Sequence, residues 1–254
     1  MINNKTTPYS DINQVIVSLS QGISEILKEN LVGTYLFGSL TYEDFNDTSS
    51  DIDLVTILKN PASESEFKKL KELHKQVEER YPKWVKRIEC SYTPQAMLSS
   101  VMPPGARPYY GEGIFYPEAP YGNEWIINLY LIYKHGKAIV GPEFSELVQP
   151  IKIEDVQQAC IRALFKEWEP KLREPEWLDN PHYQSYLVMN LCRIFNTVMN
   201  ATVLSKKKSA VWVKQKYPQW KELIQTAKEW HYGLEMKEKE KTLEFLKFVI
   251  EKVK

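Results

Sequence analysis

Two aspartates stand one residue apart at the start of an apolar run, and their spacing suits the binding of a metal ion. The run reads Asp51-Ile-Asp-Leu-Val-Thr-Ile-Leu58. In a strand, residues i and i+2 point to the same face, so Asp51 and Asp53 should project together. Adjacent carboxylates repel unless a cation holds them. Mg²⁺ prefers such hard oxygen ligands and usually binds substrate phosphates as well, so the pair predicts a magnesium site.

A second apolar run ends in a Gly-Ser turn shortly before the aspartates. It reads Gly33-Thr-Tyr-Leu-Phe-Gly-Ser39, and a polar loop ending in Ser49-Ser50 joins it to Asp51. A glycine lets the backbone approach a phosphate, and the Ser39 hydroxyl with the amides that follow can donate to it. A lone Asp-x-Asp is more often a solvated strand end. The combination with Gly-Ser is much rarer and favours a site for a metal-bound nucleotide.

Glu89 supplies a third carboxylate within residues 84–92, which alternate well enough to form another strand. If that strand lies beside the one carrying the two aspartates, three carboxylates converge. Such an arrangement is typical of nucleotidyl transfer to a hydroxyl. Glu89 could then complete a two-metal site or take the proton of the attacking hydroxyl. By itself it would be interpreted as a surface residue, as isolated glutamates usually are.

Hydrophobic periodicity predicts the elements that must position these side chains. Two helical patterns and three short strands in the first half favour an α+β domain with a small mixed sheet flanked by helices. From residue 124 onward the period is helical throughout, which predicts an all-α bundle. The helices are expected at roughly 124–135, 153–170, 182–200, 206–216, 219–230 and 235–252.

Five prolines and four glycines fall within residues 102–123, which predicts a linker without regular structure. We therefore expect a sheet domain at 1–122 and a helical domain at 123–254, with ligands bound in the crevice between such domains. The aromatic residues of this stretch could line that crevice or, equally well, pack a proline-rich loop onto the surface. They are Tyr109, Tyr110, Phe115, Tyr116 and Tyr121.

Composition restricts the class of protein. The formal net charge is zero, which argues against a broad electrostatic grip on nucleic acid. Three widely spaced cysteines favour reduced thiols over a disulfide framework. The polar first residues lack the apolar core of a signal peptide, and the longest apolar run is too short to span a bilayer. We expect a cytoplasmic protein without membrane association.

These motifs resemble the nucleotidyltransferase superfamily shared with DNA polymerase β. Within it, the chain resembles the aminoglycoside adenylyltransferases of the streptomycin/spectinomycin type. Leu36-Phe-Gly-Ser39 and Ser50-Asp-Ile-Asp-Leu54 are similar to their first motif, and Arg87-Ile-Glu-Cys90 to the strand that carries their catalytic glutamate. Two helical motifs follow in order, Asn190-Leu-Cys-Arg-Ile194 and Ser205-Lys-Lys-Lys-Ser-Ala-Val-Trp212.

The resemblance implies an enzyme that transfers AMP from ATP to a hydroxyl of an aminoglycoside-type antibiotic, with Mg²⁺, and releases pyrophosphate. Glu89 would be the general base. Lys206 would reach the ATP phosphates from the helical domain, whereas without the resemblance Lys206–Lys208 would be interpreted as a solvated charge run. The residues implied to hold Mg-ATP are Gly38, Ser39, Ser50, Asp51 and Asp53.

The acceptor pocket of the family uses Trp and acidic residues near the start of the second long bundle helix. The corresponding stretch here is 173–182, and its candidates are Glu174, Glu176, Trp177, Asp179 and His182. This stretch and residues 102–123 depart from the family pattern, so the acceptor stays open. A protein, a tRNA end or another metabolite is an alternative acceptor, and an inactive nucleotide-binding protein is an alternative function. We expect a monomer whose partners are ATP and the antibiotic.

Overall fold

The structure is a computed structural model that describes residues 5–42 and 44–254. The chain forms two compact units. Unit 1 comprises Met1–Phe45 and Ser50–Ile151, and unit 2 comprises Asn46–Ser49 and Lys152–Lys254. A mixed sheet with helices precedes a helical region, so the α+β fold predicted from the sequence is confirmed.

Within the described residues, unit 1 contains a six-stranded sheet with the order β5-β4-β3-β2-β1-β6. Strands β2 and β3 run parallel, and the other neighbours are antiparallel. A parallel pair needs a crossover connection, which a helix supplies here. The strands are β1 (Leu31–Phe37), β2 (Ile52–Leu58), β3 (Ile88–Pro94), β4 (Arg107–Gly111), β5 (Ile114–Ala119) and β6 (Lys137–Val140).

Three helices belong to unit 1: α1 (Ser10–Leu27), α2 (Glu64–Arg80) and α3 (Glu124–His135). Helix α2, the crossover between β2 and β3, starts at a capping box in which Ser63 and Glu66 bond to each other's backbone amide. The buried core joins α1 and α2 to one sheet face, with Leu54, Cys90 and Tyr110 among its members. Because strand side chains alternate, the residues between them project to the opposite face.

A histidine lies in this core. His74 on α2 is fully buried, stacks on Tyr110 with ring centroids 4.0 Å apart, and places Nε2 2.8 Å from the Tyr92 hydroxyl. Burial lowers the pKa of His74 to about 3. The ring is therefore neutral at neutral pH, and its charging would be costly.

The stretch predicted to lack regular structure contains β4 and β5. Glu112 and Gly113 form the two-residue loop between them and have φ angles of 52° and 78°. Two positive φ angles match a type I′ hairpin, whose twist suits the flanking strands. Pro117 is tolerated because β5 is the edge strand. The proline and glycine content was thus misread: it belongs to a hairpin at the sheet edge.

The two units divide between Ile151 and Lys152, whereas the sequence predicted a boundary between 122 and 123. Helix α3 contacts β1, and β6 pairs with β1. The Tyr35 hydroxyl also donates to the Pro142 carbonyl over 3.0 Å. These contacts join residues 124–151 to the sheet. Periodicity predicts that a helix forms but not which unit it packs against.

The described residues of unit 2 form helices, turns and loops, with no strand among them. Its helices are α4 (Ile153–Ala163), α5 (Pro181–Asn200), α6 (Lys206–Lys216), α7 (Lys221–Glu229) and α8 (Lys239–Val253). Helix α5 contacts the other four and buries most of its side chains. Between α4 and α5 the chain passes through a π-helical turn and two 3₁₀ turns, at 164–168, 169–173 and 175–179.

The three cysteines are reduced, as predicted from their number and spacing. Cys90, Cys160 and Cys192 are buried and form no disulfide. Burial raises the pKa of the Cys90 thiol to about 12, which makes it unreactive at neutral pH. Within the part of the chain that the structure describes, none of the helices combines the length and the apolar character needed to cross a membrane.

Candidate active site

Sheet register places Asp53 and Glu89 side by side. The parallel ladder of β2 and β3 pairs the two residues, and the antiparallel ladder of β1 and β2 pairs Phe37 with Asp53. Paired residues of neighbouring strands project to the same face. Both carboxylates therefore lie on the sheet face opposite α1 and α2. The sequence analysis made the convergence of carboxylates conditional on these two strands being neighbours, and β2 and β3 are neighbours.

The Gly38 turn lies directly against the Asp53 carboxylate. A Cβ at Gly38 would stand 1.9 Å from Asp53 Oδ2, and the φ of Gly38 is 70°. The Gly38 carbonyl accepts from the Thr41 amide over 3.0 Å and from the Thr41 hydroxyl over 2.9 Å. Both the space and the backbone conformation therefore require glycine. Ser39, the next residue of the turn, is half-buried beside it.

Arg87 holds the segment that carries the other aspartate. Strand β2 starts at Ile52, one residue later than predicted, and the Ile52 amide donates to the Arg87 carbonyl over 2.9 Å. The Arg87 Nε lies 3.8 Å from Asp51 Oδ1, and its Nη2 donates to the Ser50 carbonyl. The guanidinium stands 4.8 Å from the Trp84 ring. Its charge offsets part of the repulsion among the carboxylates.

The oxygen donors suit magnesium. Among the described residues, no group of three or more His, Cys, Asp or Glu side chains is placed to hold a metal ion. The three-carboxylate centre considered from the sequence is thus not preassembled. Mg²⁺ is commonly held by one or two carboxylates together with substrate phosphates and water. Asp53, which lies against the Gly38 turn, and Asp51, two residues earlier, fit that mode of binding.

Tyr109 on β4 belongs to the same face, and the sequence analysis did not assign it to the site. Its hydroxyl lies close to the Glu89 carboxylate. Burial, followed by the charges of Glu89 and Asp53, raises the pKa of Tyr109 far above its ordinary value. The hydroxyl therefore remains a donor. Recognition of Glu112-Gly113 as a hairpin turn would have predicted a strand at Tyr109, whereas its register against β3 depends on tertiary pairing.

In unit 2, Trp177 and His182 join an aromatic cluster. The Trp177 ring lies 5.8 Å from Trp168 and 5.7 Å from Tyr183, and His182 stacks on Tyr232 at 5.5 Å. Tyr183, Tyr186 and Tyr232 are exposed, so the cluster reaches solvent. Its members are Trp168, Trp177, His182, Tyr183, Tyr186, Trp230 and Tyr232.

The acidic candidates of unit 2 do not converge in the same way. Asp179 accepts a hydrogen bond of 2.6 Å from Lys239. Glu174 and Glu176 are exposed, and Glu174 Oε2 stands 4.0 Å from Lys171 Nζ. The structure thus brings the two ring-bearing candidates together and leaves the carboxylates spread along the 3₁₀ turns.

Lys206 is the first residue of α6, as the sequence predicted. Ser205 caps the helix by accepting from the Lys208 amide over 3.1 Å. The Lys206 ammonium lies 4.4 Å from the centre of the Tyr186 ring. A cation at a helix N-terminus is a suitable binding group for phosphate, because the helix dipole adds to its charge.

Comparison with known proteins identifies the family. A nucleotidyltransferase domain model matches residues 20–101, and a model of the aminoglycoside adenylyltransferase C-terminal domain matches residues 146–254. Spectinomycin 9-adenylyltransferase of Enterococcus faecalis is 25% identical over an alignment of 214 residues, with 78% of this chain and 76% of that protein covered. In both matched segments the chain is similar to the aminoglycoside adenylyltransferases. It is a nucleotidyltransferase enzyme.

Further relatives of this adenylyltransferase agree. The spectinomycin 9-adenylyltransferase of Campylobacter jejuni is 27% identical over 236 residues, covering 87% of this chain and 84% of that protein. The crystal structure of an Enterococcus spectinomycin adenyltransferase, AAD(9), with ATP and spectinomycin matches with a TM-score of 0.74. That match covers 94% of this chain and 98% of the other at 21% identity, so it shows the fold alone.

The two family models divide the adenylyltransferase's candidate residues between them. The Gly38 turn, the aspartates and Glu89 fall within the nucleotidyltransferase match, and Trp177, His182 and Lys206 fall within the C-terminal match. Residues 102–145 lie between the two matched segments. They contain β4 and β5, and hence Tyr109.

Proposed function

We propose that this enzyme transfers AMP from magnesium-bound ATP to a hydroxyl of a spectinomycin-like aminoglycoside and releases pyrophosphate. The observation that carries the proposal is the register pairing of Asp53 with Glu89 beside the Gly38 turn. In the proposed reaction the two carboxylates have different tasks, beside a turn that would bind phosphate. The names of the curated relatives favour spectinomycin as the acceptor.

The reaction joins the acceptor oxygen to the α-phosphorus as the bond from that phosphorus to the β-phosphate bridging oxygen breaks. Glu89 takes the hydroxyl proton, and the electron pair of the broken bond leaves with pyrophosphate. The Gly38 turn and the Ser39 hydroxyl bind phosphate oxygens. Asp51 and Asp53 would hold Mg²⁺, which when bound neutralises charge on the phosphates and the leaving group.

The remaining phosphate-binding candidates are Ser50 and Lys206. The Ser50 backbone is held by Arg87, which fixes the approach to the aspartates. Lys206 offers a positive charge at the N-terminus of α6, and its neighbour Tyr186 confines the ammonium. Both features favour binding of a polyphosphate.

For the acceptor, we propose the aromatic cluster of unit 2. Trp177 and His182 present rings on which the apolar face of a sugar can stack. Glu174 and Glu176, which are exposed, can pair with acceptor ammonium groups. Asp179 can do so only by giving up part of its interaction with Lys239, because the two are already bonded. The rings therefore supply the main acceptor-binding surface.

The proposal is tested by incubating the enzyme with ATP labelled on its α-phosphate and with spectinomycin, streptomycin, bulk tRNA or a protein mixture. We expect label on spectinomycin, release of pyrophosphate, and loss of both on chelation of Mg²⁺ with recovery when it is restored. Label on tRNA or protein alone would contradict the acceptor. Binding of ATP with no product on any acceptor would favour an inactive nucleotide-binding protein.

Replacement of the base separates chemistry from binding. Glu89→Gln should lower kcat by about 10³-fold because the amide cannot take the proton, whereas the Kd for Mg-ATP from calorimetry should stay within about twofold. Glu118→Gln, an exposed glutamate on β5 of the same sheet, is the matched control and should retain wild-type kcat. Turnover of Glu89→Gln at the control's rate would exclude Glu89 as the base.

A further inference from the structure

The Tyr109 side chain lies over Gly111, two residues further along β4. A Cβ at Gly111 would stand 2.7 Å from both Cε1 and Oη of Tyr109 and 2.8 Å from its Cζ. Gly111 is not among the described residues with positive φ, so its backbone conformation would accept other residues. The space occupied by the Tyr109 ring is what requires glycine at this position.

This direction carries the hydroxyl towards Glu89. The antiparallel ladder of β3 and β4 pairs Cys90 with Tyr110 and Ser91 with Tyr109. One further step along the ladder sets Gly111 opposite Glu89, on the same face. A ring that leans from Tyr109 over Gly111 therefore brings its hydroxyl to Glu89. There it is placed to donate a hydrogen bond to the carboxylate.

The surroundings hold the ring in this direction. The Arg107 guanidinium lies 4.8 Å from the centre of the Tyr109 ring, and the Tyr116 ring of β5 stacks at 6.4 Å with an interplanar angle of 21°. Arg107 is itself fixed, since its Nη1 donates to the carbonyls of Ala119 and Pro120 over 2.8 Å and 2.7 Å. The hydroxyl is thus placed before any ligand binds.

Tyr109 and Asp53 flank Glu89 from opposite sides. Like charges that face each other on neighbouring strands destabilise a sheet, and Asp53 and Glu89 are such a pair. Because β3 lies between β2 and β4, Tyr109 approaches Glu89 from the side opposite to Asp53. A donor on that side stabilises the Glu89 carboxylate and restricts its rotation.

We propose that Tyr109 is a positioning residue for Glu89: its hydroxyl, lodged in the space left by Gly111, holds the carboxylate in the orientation that receives the acceptor proton. The inference rests on the proposed function in that Glu89 is the base. It gives Tyr109 of β4 a part in orienting the base, although β4 lies outside both matched family segments.

The kinetic test uses Tyr109→Phe, which keeps the ring and removes the hydroxyl. We expect kcat to fall by about tenfold or more, because a misdirected base costs rate, with the KM for ATP within about twofold of wild type. Tyr116→Phe, which removes a hydroxyl from the stacked partner, is the matched control and should retain kcat. An unchanged kcat in Tyr109→Phe would overturn the inference.

Gly111→Ala should lower kcat as Tyr109→Phe does, because the added Cβ displaces the Tyr109 ring. In the double variant with Tyr109→Phe, kcat should be no lower than in the worse single variant, since both changes remove the same hydrogen bond. Gly105→Ala, where a Cβ meets nothing within 4 Å, is the control for a Gly→Ala change. Kinetic losses that multiply in the double variant would mean that Gly111 does not act through Tyr109.

A double-mutant cycle measured by thermal unfolding tests the inference even if no turnover is detected. Tyr109→Phe should lower Tm in the wild-type background by a few degrees and by clearly less in a Glu89→Ala background, where the acceptor of the hydrogen bond is gone. Equal Tm shifts in both backgrounds would overturn the role of Tyr109. Failure of the proposed function shows instead as a wild-type enzyme that labels no acceptor.

Discussion

The carboxylate face of unit 1 and the aromatic cluster of unit 2 are built in different ways. On the carboxylate face, backbone ladders place Asp53 between Phe37 and Glu89, and the Gly38 turn leaves no room for a single added carbon. The cluster depends on rings that pack side by side, and three of its members are exposed. Trp168 and Trp177 come from π-helical and 3₁₀ turns.

The difference teaches which part of the enzyme can vary. A carboxylate held by strand register moves only if a whole strand shifts, and a shift by one residue turns its side chain to the other face. Rings on irregular turns can be exchanged or tilted at little cost to the fold. We therefore expect the nucleotide chemistry to tolerate few substitutions and the choice of acceptor to tolerate many.

The largest effect that would test this contrast is expected from Gly38→Ala. The new Cβ would clash with Asp53 Oδ2 and force a left-handed φ on alanine. We expect kcat/KM to fall by about 10²-fold or more and the free energy of unfolding by about 1–2 kcal/mol. Steady-state kinetics and urea unfolding measure the two effects.

Gly233→Ala is the matched control, because Gly233 in unit 2 also has a positive φ, 89°, but an added Cβ meets nothing within 4 Å. It should share the conformational cost and keep the activity. If Gly38→Ala and Gly233→Ala retained equal activity, the rigidity assigned to the carboxylate face would be wrong.

A second test lowers the pH, which should decrease the free energy of unfolding of unit 1 because His74 is protonated more readily in the unfolded chain. Its folded-state pKa of about 3 lies below the unfolded value of about 6.5, so the unfolded chain binds the proton first. The contribution of neutral His74 is complete above pH 6.5 and is lost as the pH falls from there towards 3. The free energy of unfolding should decrease by up to about 1.4 kcal/mol per pH unit from this residue.

His74→Gln isolates that slope, since glutamine does not titrate yet can bond to the Tyr92 hydroxyl. Urea unfolding of both proteins at several pH values between 4 and 7 measures it, and groups elsewhere cancel in the comparison. The variant should show the shallower dependence. Identical slopes would mean that His74 is not the titrating group.

The smallest effect is expected in the other region, from Trp177→Ala. Loss of one ring from the aromatic cluster should raise the KM for the acceptor by about tenfold and leave the KM for ATP unchanged. Trp177→Phe, which keeps a smaller ring, should give an intermediate value. A rise in the KM for ATP with an unchanged KM for the acceptor would reverse the roles we assign to the two regions.

Local patterns predicted much of the chain. The bounds of α3 and α6 agree with the periodic stretches 124–135 and 206–216, because an amphipathic repeat and a cap such as Ser205 are encoded nearby. The pairing of Asp53 with Glu89 was only a condition of the sequence argument, and strand register in the structure meets it.

Other features were missed because they join residues that are distant in sequence or because composition misled. The hairpin of β4 and β5 was taken for a linker on account of its prolines and glycines. Asp179 was expected to face an acceptor, and the structure shows it bonded to Lys239 on another element. Hydrophobic periodicity carries no information about a contact between residues so distant in sequence.

The amino-acid sequence by itself determined most of the helices, the strands that carry Asp53 and Glu89, and the Gly38 turn, because propensity, alternation and turn chemistry act over a few neighbouring residues. Only the tertiary structure decided that α3 packs with the sheet, that Trp177 and His182 share a cluster, and that Tyr109 reaches Glu89 over Gly111. Those outcomes depend on strand order and register and on which surfaces are buried together, and long-range packing alone determines them.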